Sequence, residues 1–100
     1  MRSFTKFKDY LHEKLKDPKI ASLYIEGAIE ENDPEYLQIA LGNVIKSLGV
    51  TDISNKTGLS RQTIYKMVSP KGNPSYKNVL LILEALNLEI VVRPRKKKKA

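Results

Sequence analysis

The stretch VTDISNKTGLSRQTIYKMVS, residues 50–69, decides how this chain folds. It predicts two short helices joined by a tight turn. Gly58 lies where the first helix must end with a positive φ, which only glycine adopts without strain. Ser60 can cap the second helix, because its hydroxyl can accept a hydrogen bond from a free amide in the first turn. Thr51 is the predicted N-cap of the first helix.

The second helix of this pair has two different faces. An apolar stripe at three-to-four residue spacing predicts its buried side: Ile64, Met67 and Val68. The opposite face carries long side chains, none of them acidic: Arg61, Gln62, Tyr65 and Lys66. Each feature alone also fits an ordinary helical hairpin with a solvated face. Together they favour a DNA-binding helix-turn-helix, whose second helix reads base edges from its N-terminal end.

The DNA hypothesis assigns a role to nine side chains. Arginine suits guanine and glutamine suits adenine in the major groove. The side chains predicted to reach base edges are Arg61, Gln62 and Tyr65. Contacts to the phosphate backbone fix the register of the protein on DNA. The residues predicted to make them are Thr51, Ser60, Lys66, Lys71, Asn73 and Lys77.

The composition limits the class of protein. One hundred residues make one domain with a modest core, so dimerisation is expected. The absence of cysteine excludes disulfides and thiolate metal sites and fits a reducing cytoplasm. No apolar run approaches the roughly 20 residues of a membrane span. With one histidine and no telling carboxylate spacing, we expect no catalytic site, no metal and no cofactor.

The net charge of +7 is unevenly distributed. Residues 1–35 carry −2, residues 36–92 carry +3, and residues 93–100 carry +6. An acidic cluster in the first region is the candidate surface for binding a basic partner protein. The alternative is a solvated helix end with no partner. The members of the cluster are Glu26, Glu30, Glu31, Asp33 and Glu35. The basic tail is predicted to be disordered, either as an arm on phosphates or as a solubilising end.

The rest of the chain predicts four more helices. The first covers Phe4–Lys16. Asp17-Pro18 and Asp33-Pro34 each supply an N-cap and a proline at the first helical position, and so begin the second and third helices. The third helix reaches Leu48. Apolar side chains expected on the buried faces of these helices include Phe7, Tyr10, Leu11, Leu15, Ile20, Leu23, Tyr24, Ala28, Ile29, Tyr36, Ile39, Val44 and Ile45.

The last helix and the segment after it complete the fold. Ser75 is the predicted cap of a helix over Tyr76–Leu86, with Asn87 as its C-cap. Leu88–Val92 predicts a short β-strand, because it is rich in β-branched residues. This strand would pair with its copy in a second subunit or lie against the chain's own helices.

Residues 37–94 resemble the Cro/C1-type helix-turn-helix family and, within it, the addiction-module antidote proteins. The matching motifs are Leu41-Gly42-Asn43-Val44, Thr57-Gly58-Leu59-Ser60-Arg61-Gln62-Thr63-Ile64-Tyr65-Lys66, Ser69-Pro70-Lys71-Gly72-Asn73-Pro74 and Ala85-Leu86-Asn87-Leu88. Two departures stand out: Ser54 replaces the usual alanine, and the poly-lysine end is not a family feature.

The resemblance implies a mostly α-helical, lambda-repressor-like helix-turn-helix bundle with two extra N-terminal helices and a short C-terminal β-strand. We expect an N-terminal extension (1–33) that forms one unit with the helix-turn-helix domain (34–92), followed by the basic tail (93–100). The implied function is that of a cytoplasmic, homodimeric antitoxin that binds double-stranded operator DNA, represses its operon and neutralises a RelE/ParE-like toxin. A stand-alone transcription regulator and a pure interaction module remain alternatives.

Overall fold

The computed structural model describes residues 2–95, with side chains from residue 6 onward. This part of the chain forms six α-helices: α1 (Arg2–Lys14), α2 (Pro18–Glu30), α3 (Pro34–Leu48), α4 (Val50–Thr57), α5 (Arg61–Met67) and α6 (Tyr76–Ala85). The mostly helical fold class is therefore confirmed. None of these helices has the length and apolar character needed to cross a membrane.

Four helices begin where the sequence predicts a cap. The carboxylates of Asp17 and Asp33 each accept a hydrogen bond from the amide two residues later, at 2.9 and 3.0 Å. The hydroxyls of Ser60 and Ser75 accept one from the amide three residues later, at 3.0 and 3.1 Å. Since each cap satisfies an otherwise free amide of the first turn, the start of each helix is determined locally.

Two predictions about helix ends are wrong. Thr51 is not an N-cap, because α4 begins at Val50 and Gly49, two residues before Thr51, occupies the cap position without a side-chain hydrogen bond. α1 ends at Lys14 instead of Lys16. The chain turns after Lys14, where the amide of Asp17 donates a hydrogen bond to the carbonyl of Lys14 at 3.1 Å. Asp17 then caps the start of α2.

The predicted strand at Leu88–Val92 is absent from the described residues of the single chain, and its pairing with a copy in a second subunit stays a prediction. Asn87 has a φ of 62° and stops α6, and the amide of Leu88 donates to the carbonyl of Leu83 at 2.8 Å. These features form a Schellman-type helix end. Beyond it the residues belong to no strand. A β-ladder needs a second extended segment as its partner, and residues 2–95 contain no strand that could serve.

α3 lies at the centre of the fold and packs against α1, α2 and α4, while α4 also packs against α5 and α6. One buried cluster includes residues of α2 to α6 and Leu15, which follows α1, while Leu11 of α1 packs against it. Its most deeply buried large side chains are Leu15, Val44, Ile45, Ile53, Ile64 and Ile82. The two N-terminal helices therefore contribute to the same core as the two-helix unit α4–α5.

Several apolar side chains expected in the core are instead exposed: Phe7, Tyr10, Leu23, Ile29, Tyr36 and Ile39. Tyr36 and Ile39 belong to the part of α3 that faces away from its neighbours. For the residues of α1 and α2, the cause is the limited contact of these outer helices. α1 and α2 each pack mainly against α3, and one neighbouring helix covers only part of a wide apolar arc. The sequence shows how wide the apolar arc of a helix is, but not how much of that arc a neighbouring helix covers.

Candidate nucleic-acid interface

The turn between α4 and α5 is held by side chains of α4. Gly58 adopts a φ of 80° and ends α4. The hydroxyl of Ser54 donates to the carbonyl of Leu59 at 2.6 Å, and the amide of Leu59 donates to the hydroxyl of Thr57 at 3.1 Å. Ser54 thus fits where alanine is usual in the family that the chain resembles, because its hydroxyl is satisfied within the turn.

The orientation of α5 is set by its buried side. Ile53 of α4 and Ile64 of α5 have no exposed surface, and Met67 is also buried. The side chains of the opposite face are all exposed: Arg61, Gln62, Tyr65 and Lys66. A helix anchored through one face and free on the other has the arrangement needed to enter a DNA groove. The contact of these side chains with DNA stays a prediction.

The loop after α5 is packed against that helix more tightly than the sequence suggests. A Cβ atom at Gly72 would collide with the carbonyl oxygen of Lys66 and lie 2.8 Å from that of Met67. The side-chain amide of Gln38 donates to the carbonyl of Gly72, and also to that of Met67 at 3.4 Å. Gln38, which is buried in α3, therefore fixes both the end of α5 and the loop.

Gln38 was not recognised as a positioning residue in the sequence. The signal that could have found it is a polar side chain within the broad apolar arc of α3, which is costly to bury unless it has partners. Gln38 has such partners only because the loop folds back onto α3, 34 residues further along the chain.

A groove of about 380 Å³ lies between α5, the loop and the start of α6. Lys66, Lys71 and Asn73 line it, so the fold brings together three of the residues predicted to contact phosphates. Lys77 lies elsewhere, on the outer face of α6. Thr51 is exposed in the first turn of α4, while the Ser60 hydroxyl is already engaged in capping α5.

Basic side chains lie on α5 and on the loop after it. Arg61, Lys66 and Lys71 form no ion pair within the part of the chain that the structure describes. The α5 helix carries no acidic residue. The face consequently presents donors and uncompensated positive charge, which is the chemistry that attracts a phosphate backbone.

Comparison with known families adds an independent finding. Residues 4–94 match a family model described as "Probable addiction module antidote protein". The chain belongs to this family of antidote proteins. A curated relative from Haemophilus influenzae (strain ATCC 51907 / DSM 11121 / KW20 / Rd), described as an uncharacterized protein, is 31% identical over 90 residues, which cover 81% of this chain and 93% of the relative. No solved structure matches the chain.

Membership in the antidote family implies a toxin partner and a regulatory role. The antidote assignment from the sequence is confirmed, whereas membership in the broader Cro/C1-type helix-turn-helix family stays a prediction. Among residues 2–95, the structure contains no group of three or more histidine, cysteine or carboxylate side chains that could hold a metal ion.

The acidic cluster of the antidote lies at the end of α2 and the turn into α3. All five of its members are exposed: Glu26, Glu30, Glu31, Asp33 and Glu35. The Asp33 carboxylate caps α3 and is already used within the fold. Glu26 and Glu30 line a second, partly apolar groove, and the other three do not. The structure thus divides the predicted cluster, and its toxin contact stays a prediction.

Proposed function

We propose that this antidote is a DNA-binding antitoxin of a type II toxin–antitoxin module, which represses its own operon and neutralises a RelE/ParE-like toxin in the cytoplasm. In this proposal, α4 and α5 are the helix-turn-helix of a Cro/C1-type, lambda-repressor-like domain. The observation that carries the proposal is the exposed, acid-free face of α5, which is held in place by Ile53, Ile64 and Gln38.

The α5 helix would enter the major groove of operator DNA. Its N-terminal residues Arg61 and Gln62, with Tyr65 one turn later, would reach base edges. The residues that would contact the flanking phosphates are Thr51, Ser60, Lys66, Lys71, Asn73 and Lys77. Because Lys66, Lys71 and Asn73 share one groove beside α5, they could follow a single phosphate strand as it leaves the base-reading helix.

A homodimer would place two α5 helices on two half-sites of the operator. The outer face of α6 favours this, since Tyr76 is 71% exposed and Leu80 is 38% exposed. Lys77 and Glu84 line the same hollow as these side chains. Two copies packed antiparallel about a two-fold axis near Leu80 would cover the exposed apolar surface of Tyr76 and Leu80. The unpaired segment 88–92 is the alternative dimer contact.

Binding to the DNA upstream of the antidote's own gene tests the repressor role. A mobility-shift experiment at about 150 mM salt with random competitor weakens nonspecific phosphate binding. We expect a discrete shift that resists the competitor and is lost in an Arg61→Ala/Gln62→Ala variant. A Lys46→Ala variant, altered at an exposed residue of α3, should bind like the wild type. A shift that the competitor abolishes would contradict operator recognition.

The toxin partnership is tested with the neighbouring gene. An antitoxin gene should lie within a few bases of a reading frame that encodes a small basic protein. Co-purification of that product with the antidote would support neutralisation. Operator binding without such a neighbour would instead favour a stand-alone regulator, although the match to antidote proteins over residues 4–94 favours the toxin module.

A further inference from the structure

A groove of about 340 Å³ lies between the second half of α2 and the segment that follows α6. We propose that this groove is where the antidote binds its toxin, and that it takes a toxin segment whose apolar side chains are flanked by lysines or arginines. This inference rests on the toxin partnership proposed above and assigns it to a surface.

The groove is apolar at its base and along its walls. Ile25 and Leu83, both part of the buried core, line it together with the half-buried Leu88. Ile29 of α2 and Val91 of the C-terminal segment also line it, and they are 54% and 69% exposed. Single exposed apolar side chains are common on proteins, but several that line one hollow mark an interaction surface.

The charged side chains that line the groove favour a partner segment of opposite charge. Glu26, Glu30 and Glu89 line it, and among the residues that the structure describes Arg93 is the only basic side chain that does so. None of these carboxylates forms an ion pair within residues 2–95. Complementary charge around an apolar patch determines which partner binds and how quickly, since like charges are repelled. The groove therefore fits a basic segment and disfavours an acidic one.

The two recognition surfaces of the antidote lie on different elements. The toxin groove is built from α2, the end of α6 and the residues that follow. The DNA face is built from α5, the loop 69–74 and the start of α6. No residue lines both grooves, so substitutions in one should leave the other function intact. This separation makes the assignment testable in the full-length protein.

The test measures the binding of the purified product of the adjacent reading frame to the full-length antidote by titration calorimetry. Ile29→Asp puts a charge on the apolar wall and should weaken binding about tenfold or more. Leu23→Asp is the matched control, because Leu23 is an apolar residue of α2 that is at least as exposed as Ile29 and does not line the groove. We expect its affinity to stay within about twofold of the wild type.

A second pair of variants tests the charge. The combined Glu26→Gln, Glu30→Gln and Glu89→Gln variant should weaken binding about tenfold and reduce its salt dependence. The combined Glu31→Gln and Glu35→Gln variant removes exposed charges outside the groove and should change the affinity less than about threefold. All four variants should unfold at the temperature of the wild type and should shift operator DNA as it does.

The outcomes separate the groove assignment from the proposed function. Toxin binding that survives Ile29→Asp and the triple glutamine variant, or that Leu23→Asp weakens equally, would overturn the assignment. Groove variants that become monomeric while keeping their toxin affinity would assign the groove to a second copy of the chain and also overturn it. A wild-type antidote that does not bind the adjacent product would refute the toxin partnership, and the groove assignment with it.

Discussion

Replacing Gly72 by alanine tests how the loop after α5 is held. The added Cβ would meet the backbone carbonyls of Lys66 and Met67, which cannot rotate away as a flexible side chain could. Forcing extra atoms into a packed site costs about 1–3 kcal/mol. If the loop lifts to relieve the collision, the hydrogen bond from Gln38 to the Gly72 carbonyl is lost, at about 1–3 kcal/mol for a buried amide.

Whichever of these two costs the structure accepts, the free energy of unfolding falls by about 1–3 kcal/mol. For a chain of this size, such a loss lowers the melting temperature by roughly 5–25 °C. Gly27→Ala is the matched control, because a Cβ there meets nothing within 4 Å and the residue lies inside α2. Alanine at that position should stabilise the protein by about 0.5–1 kcal/mol.

Urea unfolding followed by far-ultraviolet circular dichroism measures both changes. Equal stability of the Gly72→Ala and Gly27→Ala variants would refute the close packing of the loop against α5. A double-mutant cycle with Gln38→Ala adds a second check. Since Gln38 and Gly72 share a hydrogen bond, their effects should be clearly less than additive. Strict additivity would show that Gln38 does not hold the loop.

Three further changes have defined outcomes. Gln62→Ala should weaken operator binding by about 1–3 kcal/mol and relax one base position, whereas an equal loss on random DNA would argue against base reading. Deleting Arg95–Lys99 should reduce the slope of log affinity against log salt, and an unchanged slope would make the tail a passive end. Residue 87 has a φ of 62°, which alanine adopts only with strain and glycine adopts freely. In urea unfolding, Asn87→Ala should therefore lower the free energy of unfolding by about 1–2 kcal/mol, whereas Asn87→Gly should not. Equal effects of the two substitutions would contradict the left-handed conformation that ends α6.

The features that could be read from the sequence are local. The caps at Asp17, Asp33, Ser60 and Ser75 and the left-handed Gly58 each depend on residues within one helical turn. Such short-range hydrogen bonds and backbone preferences act before any tertiary contact forms. The exposed face of α5 could also be predicted, because helical periodicity separates its buried and free sides.

Apart from the shifted boundaries of α1 and α4, the errors concern segments whose structure depends on a distant part of the chain. Leu88–Val92 has the composition of a strand, yet a strand exists only when a second segment accepts and donates its backbone hydrogen bonds. Ile29 and Leu23 have the periodicity of core residues, yet their burial depends on a neighbouring helix that does not cover them. Propensity and periodicity describe one segment and cannot report whether a partner segment is present.

The sequence by itself determined the helices, the turn between α4 and α5, and the residues that face outward from α5, because each of these follows from interactions within a few residues. Only the tertiary structure decided that Gln38 reaches across 34 residues to hold the loop, that Gly72 must stay a glycine, and that α2 and the C-terminal segment enclose an acidic, apolar groove. Those features depend on which segments meet in space, and that is settled by the packing of the whole chain.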